Sequence, residues 1–296
     1  MAWPGQTAQH DWLAPDWPAP AGVHAVCTTR QGGASLPPFD SLNLGSHVGD
    51  DVGAVLANRG ILQSVLQVHT PGARAVFLNQ VHGDGVVCLD ASTPDGTEAD
   101  ACVASTPGAV CTIMVADCLP VLLAHRSGRV VGAAHAGWRG LASTNGEGVL
   151  ESVFKCFSAL ALDGQAPAAI KKEANSGGAD SSLAAPVAQD TLAWLGPCIG
   201  PQAFEVGAEV RAVFCDTDPA AQHCFVPRAG APGKFLCDLA GLARLRLRAL
   251  GIHAVYGNDS TPPWCTVTNA SRFFSHRRDS VALGGSGRLA ACIWRG

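Results

Sequence analysis

Val110 to His135 reads VCTIMVADCLPVLLAHRSGRVVGAAH, and this run decides the fold class. Within it VCTIMVA (Val110 to Ala116), PVLLAH (Pro120 to His125) and RVVGAAH (Arg129 to His135) are rich in aliphatic and β-branched residues and bounded by turn formers, the composition of strands. Ser127-Gly128 separates the last two, so they form a hairpin and pair antiparallel. Asp117 and Pro120 interrupt the apolar stretch Gly108 to Ala124, which suits buried strands and would be costly in a bilayer.

Working outward, VHAVCTTR (Val23 to Arg30), VVCLD (Val86 to Asp90), IHAVYG (Ile252 to Gly257) and RLAACIW (Arg288 to Trp294) read as further strands. Val52, Val55, Leu56, Arg59, Leu62 and Leu66 have helical spacing, as do Val149, Leu150, Val153, Phe154 and Phe157, with Thr144 and Glu147 as a capping box for the second helix. Leu236, Leu239, Leu242, Leu245 and Ala249, stopped by Gly251, predict a third helix. The expectation is an α/β fold, a mixed α+β sandwich in a single domain whose sheet combines parallel and antiparallel strands. Residues 1–22, rich in Trp and Pro, are expected to form an N-terminal arm packed on a domain spanning 23–296. Residues 163–189 turn to Ala, Gly, Ser, Lys and Asp without apolar periodicity and read as a solvated surface insertion.

Composition narrows the partners. With 296 residues and 47% hydrophobic content the chain can bury a sizeable core. A net charge of -4 with 15% charged residues supplies no basic stripe, so nucleic acid is not expected as a partner, nor is a membrane. The first residues carry no basic n-region or apolar h-region, so a cytoplasmic location is expected. Twelve dispersed cysteines without a CxxC pair read as reduced, mostly buried thiols.

The chain has no GxxxxGK[ST], HExxH or GxSxG motif and no HxE with a following PCxxC; Gly285-x-Gly287-x-x-Ala290 lies too near the C-terminus to open a βαβ unit and reads as a turn. What remains are NQVHGDG (Asn79 to Gly85), ADCLP (Ala116 to Pro120) and HAGWRG (His135 to Gly140), each placing a reactive side chain where a strand meets a turn. Two imidazoles and a thiolate can hold zinc tetrahedrally and leave a fourth position for water, and copper suits the same donors. Taken singly, His82, Cys118 and His135 are as readily turn or core residues. His47 and His276 sit in polar turns, and the remaining six histidines read as structural.

DSLNLGSHVGD (Asp40 to Asp50), NQVHG, ADACVASTPG (Ala99 to Gly108), ADCLPVLL, HAGWRG, GPCIGPQAFEVG (Gly196 to Gly207) and FFSHRRD (Phe273 to Asp279) occur in order. Together they resemble the laccase-domain family, also called YfiH-like or multicopper polyphenol oxidase-like proteins. The resemblance implies a pocket built on His82, Cys118 and His135 as catalytic metal ligands. It also implies a metal-dependent purine nucleoside enzyme, using zinc or copper, that phosphorolyses inosine, adenosine and methylthioadenosine and deaminates adenosine. Purine nucleoside and phosphate are then the partners, with oligomeric state left open.

Phosphate calls for arginine, whose planar fork donates paired hydrogen bonds. Arg139 and Arg277 are candidates by position, and Arg59 by the family's Asn-Arg helix motif; Asn43 is a candidate for contacting ribose or base. One alternative is polyphenol oxidation, but the chain has no HxH pair to bridge adjacent coppers. Another is a metal-free cysteine hydrolase linked to peptidoglycan editing, with Cys118 as nucleophile and His135 as base.

Overall fold

The hairpin forms as expected. In a computed structural model, which describes residues 10–142, 147–163 and 181–296, Leu119–His125 pairs antiparallel with Val131–Ala136, with Pro120 opposite His135. The preceding strand, Ala109–Val115, lies in a different sheet, so the three residues between them carry the chain across the molecule.

One sheet has four strands in the order Val23–Cys27, Leu289–Arg295, Ala109–Val115, Arg74–Phe77. The other has six, in the order Ala254–Gly257, Thr191–Leu195, Leu119–His125, Val131–Ala136, Ala101–Ala104, Val86–Leu89. Both mix parallel and antiparallel pairs: Arg74–Phe77 runs parallel to Ala109–Val115, and Leu289–Arg295 runs antiparallel to it. A small three-stranded sheet is added by Glu205–Gly207, Phe225–Pro227 and Lys234–Cys237.

Side-chain alternation defines the layers. Cys111, Ile113, Leu122, Ala133, Ala291 and Trp194 fill the space between the large sheets. Val110, Met114, Cys292 and Trp294 face outward from the four-stranded sheet onto Leu62 and Leu66 of the helix Val52–His69, capped by Asp51, which accepts from the Ala54 amide. Leu119, Val121 and Leu123 face the other way, onto Val153 and Phe157 of the helix Val149–Asp163 and Leu242 of the helix Leu239–Ala249. Central strands are thus covered on both faces, which is why they read as continuous apolar runs.

Two boundaries differ from expectation. Leu236 lies in the strand Lys234–Cys237, because Asp238 caps the following helix and starts it at Leu239. Of residues 163–189, 164–180 lie outside the described residues, while Ser181–Gln189 is a helix whose Val187 and Ala188 enter the core; Thr144 also lies outside them. Within residues 1–22, Trp12 is buried and Leu13 bridges Cys27. Among the described residues no helix is long and apolar enough to cross a membrane.

Candidate metal centre and substrate cleft

Cys118 sits at the crossing between the two large sheets. Asp117, immediately before it, holds φ at 87°, a left-handed conformation that L-residues adopt at a cost, and hydrogen bonds fix it there. Its carboxylate accepts from Thr266 Oγ1 at 2.6 Å and from the Arg277 amide at 2.6 Å, and its carbonyl accepts from the Ile199 amide. His135 lies near the end of Val131–Ala136, buried in the sheet. His82 is in the loop after Arg74–Phe77, also left-handed at φ 62°. The two imidazole rings meet edge to face with centroids 4.7 Å apart, and one donor atom from each of His82, Cys118 and His135 lies within 4.8 Å of the others. Gly137 leaves them room: a Cβ there would sit 3.0 Å from Cys118 Sγ and 3.1 Å from His82 Cδ2.

Asp100 organises the cluster. Fully buried, it accepts His135 Nδ1 at 2.8 Å and the amides of Val81, His82 and Gly83 at 3.2, 2.9 and 2.7 Å. Pairing of Ala101 with Ala134 in the six-stranded sheet is what brings it beside His135. Burial would raise its carboxyl pKa, but the hydrogen bonds from His135, Gly83 and His82 outweigh this and hold it below the ordinary carboxylate value. With Nδ1 committed to Asp100, His135 has Nε2 left for a ligand, the carboxylate–histidine arrangement that supports metal sites.

Electrostatics favour a ligating thiolate. Burial opposes ionisation of Cys118, yet the charge of His135 and hydrogen bonds with both imidazoles lower it to about 6. His135 moves the other way: burial is outweighed by Cys118 and Asp100, and it rises to about 9. Two imidazoles and one such thiolate form a donor set that fits a metal cation.

Above the trio opens a cleft of about 410 Å³. Arg139 and Arg277 line it; Arg139 lies over the Trp138 ring, and Arg277 donates to the Glu205 carbonyl. Arg59 is not among the lining residues. Its guanidinium donates to the Leu44 carbonyl at 3.0 Å, lies 3.8 Å from Asp95 and stacks 3.8 Å above the Phe77 ring. Asn43 is likewise absent from the lining. It is fully buried, donating to Gly45 O and Asp50 Oδ2 and accepting from the amides of Gly45 and Arg288, so its amide has no group left for ribose or base.

Residues that the sequence did not single out as site residues complete the walls: His47, His276 and Arg288 line the cleft with Ile199, Phe204 and Leu239. His276 opens the helix His276–Leu283 and bonds through Nδ1 to Ser280 Oγ at 2.7 Å, which explains why the polar-turn reading missed it. Among the described residues, the guanidinium groups of Arg139, Arg277 and Arg288 form no ion pair with a carboxylate. The cleft therefore brings guanidinium groups together with the thiolate and imidazoles of the trio.

Comparison with known proteins agrees with this architecture. Residues 24–170 and 180–296 match the family model described as multi-copper polyphenol oxidoreductase laccase. The chain is 46% identical to a purine nucleoside phosphorylase of Pseudomonas aeruginosa over 96% of its length and 98% of that protein. It is 42% identical to the purine nucleoside phosphorylase YfiH of Escherichia coli K12, over 95% and 98% of the two chains. A crystal structure of a Neisseria meningitidis protein superposes with a TM-score of 0.77 at 41% identity, covering 96% of this chain and 99% of that one. By ordered motifs, fold and full-length identity, this chain belongs to the multi-copper polyphenol oxidoreductase laccase family.

Proposed function

We propose that this protein is a cytoplasmic, metal-dependent purine nucleoside phosphorylase, acting on inosine, adenosine and methylthioadenosine and also deaminating adenosine. The observation that carries the reading is the cleft itself: a small-molecule-sized space lined both by the His82, Cys118, His135 donors and by Arg139, Arg277 and Arg288. The similarity to relatives named as purine nucleoside phosphorylases supports it.

Zinc held by His82, Cys118 and His135 would supply Lewis-acid chemistry and an activated water for deamination at C6. In phosphorolysis the chain's own groups do the rest. Arg139 and Arg277 bind phosphate, one of whose oxygens attacks C1′ as the glycosidic C–N bond breaks and its electron pair passes to the purine. His276, with Nδ1 tied to Ser280, has a second ring nitrogen from which to protonate that purine. The products are free base and ribose 1-phosphate. Asp100 keeps His135 and the His82 loop in place throughout.

One observation favours a second reading, a metal-free cysteine hydrolase: Cys118 lowered to about 6 beside His135 is also the signature of a nucleophile–base pair. Polyphenol oxidation has less support, since among the described residues His82, Cys118 and His135 are the one cluster of three donors. Metal analysis of the purified protein, with a nucleoside panel run with and without phosphate and chelator, separates the three. Phosphate-dependent release of hypoxanthine from inosine that chelation abolishes supports the proposal. No phosphorolysis, or full activity in Cys118→Ala, refutes it.

A further inference from the structure

Arg288 is seated by three residues of the segment Asn43-Leu44-Gly45. Its amide donates to Asn43 Oδ1 at 2.9 Å, and its carbonyl accepts from the Leu44 amide at 3.1 Å. Gly45 clears space for the stem: a Cβ there would stand 2.7 Å from Arg288 Cγ and 3.2 Å from its Cβ. Asn43 is itself fixed by Asp50 and by Asn58 Nδ2, which donates to its carbonyl. A segment 243 residues earlier in the chain (288 minus 45) therefore clamps this one arginine on both backbone and side chain.

At the other end, the guanidinium lines the cleft half-buried. Only Nη1 is bonded, to the carbonyls of Ser286 and Gly287 at 2.9 and 3.1 Å. Nε and Nη2 have no hydrogen-bond partner among the described residues and no carboxylate lies within ion-pairing distance; the negative charges that act on the guanidinium are those of Asp117 and Cys118 in the same cleft. Arg30, Arg246 and Arg278 are paired with Asp40, Glu151 and Asp279, and Arg244, which has no such pair, spends its guanidinium donors on the carbonyls of Val255, Gly257 and Asn258; Arg288 differs in leaving two donors free in a cleft. A half-buried guanidinium is partly desolvated, and a fork with two free donors in a cleft wall regains hydrogen bonds when an oxyanion enters.

We infer that Arg288 anchors an oxyanion subsite that takes inorganic phosphate, and that Asn43 and Gly45 are positioning residues for it. The inference rests on the phosphorylase reading for its choice of free phosphate. It gives the buried Asn43-Leu44-Gly45 motif a role in recognition without any contact to the substrate. Arg139 and Arg277, both exposed, then close over an anion already oriented by the rigid Arg288.

The test uses the full chain with its metal bound. Arg288→Met should raise the KM for phosphate by roughly ten- to a hundredfold, the loss expected for one charge-assisted pair, with the KM for inosine and the metal content unchanged. Calorimetric titration with inorganic phosphate alone should weaken by the same factor. Gly45→Ala should shift both in the same direction by less, and Arg288→Lys, which keeps the charge and loses the fork, covers the case where the methionine variant fails to fold.

An unchanged phosphate KM and affinity in the Arg288 variants overturns the inference while leaving phosphorolysis standing. A fall in kcat that tracks lost metal, at constant phosphate KM, also overturns it by assigning Arg288 to Cys118. If the wild type binds phosphate through Arg288 yet releases no base, the subsite stands and the phosphorylase reading falls. Adenosine 5′-monophosphate binding more tightly than phosphate, in an Arg288-dependent way, would replace free phosphate by a phosphate ester as the occupant.

Discussion

Replacing Asp100 by alanine should uncouple the metal centre from the fold. Four N–H groups lose one acceptor: three amides from Val81 to Gly83 and His135 Nδ1. Charge-assisted hydrogen bonds are worth about 1.5–3 kcal/mol each, but they do not add. Val81 and His82 are exposed, so water can replace the carboxylate at the loop amides. His135 is buried in the sheet and has no such substitute. The stability loss should therefore approach one buried charge-assisted bond plus a fraction of the others, about 2–4 kcal/mol.

The metal should suffer separately. Losing the carboxylate behind a ligating imidazole costs about 10- to 100-fold in affinity, or roughly 1.4–2.7 kcal/mol. Asp100→Asn retains one acceptor oxygen and should fall between alanine and wild type. Urea denaturation reads the first quantity, and competition for zinc against a chromophoric chelator reads the second. Zinc affinity within about twofold of wild type in Asp100→Ala, at a protein concentration and temperature where the variant is folded, would refute the reasoning.

Gly137→Ala places a methyl against Cys118 Sγ and His82 Cδ2 and should weaken metal binding while secondary structure by circular dichroism is unchanged; undiminished zinc affinity would show that the loop yields. Asn43→Ala leaves the amides of Gly45 and Arg288 without their acceptor and should cost about 2–3 kcal/mol in a urea titration, whereas a loss below about 0.5 kcal/mol would contradict its structural role. With chelator present, Cys118 should alkylate well before the other cysteines. Its thiol lies at about 6, so its rate should level off above neutral pH, while buried thiols such as Cys224, pushed up to about 12 by burial, remain inert. Peptide mapping after iodoacetamide checks this, and preferential labelling at any other cysteine would contradict it.

The hairpin at Ser127-Gly128 and the apolar strands were legible because turn chemistry and two-sided burial both leave local marks. Thr191–Leu195 and Arg74–Phe77 were not, since a run as short as TLAWL or RAVF carries no period that separates strand from helix. In the cleft, His82, Cys118 and His135 were each ambiguous alone and were joined as a trio by the ordered motifs that resemble the family. Asp100 did not, because its meaning arises only when Ala101 pairs with Ala134 and brings it to His135. Arg59 and Asn43 show the reverse: each stands in a recognisable segment, yet Phe77 and Asp95 hold the first and a closed set of hydrogen bonds holds the second. Arg288 was hidden at the start of a strand that reads simply as apolar.

The crossing at Ala116 to Cys118 also bears on how such proteins diversify. Cys118 and His135 are set by the central sheet, and His82 by Asp100 at its border, whereas His47, Arg139, His276 and Arg277 approach from exposed loops or helix starts. Mutation can reshape the mouth without disturbing the donors beneath it. Proteins sharing these donors can thus part company in what they consume, and the substitutions that record such a divergence will gather on the exposed rim.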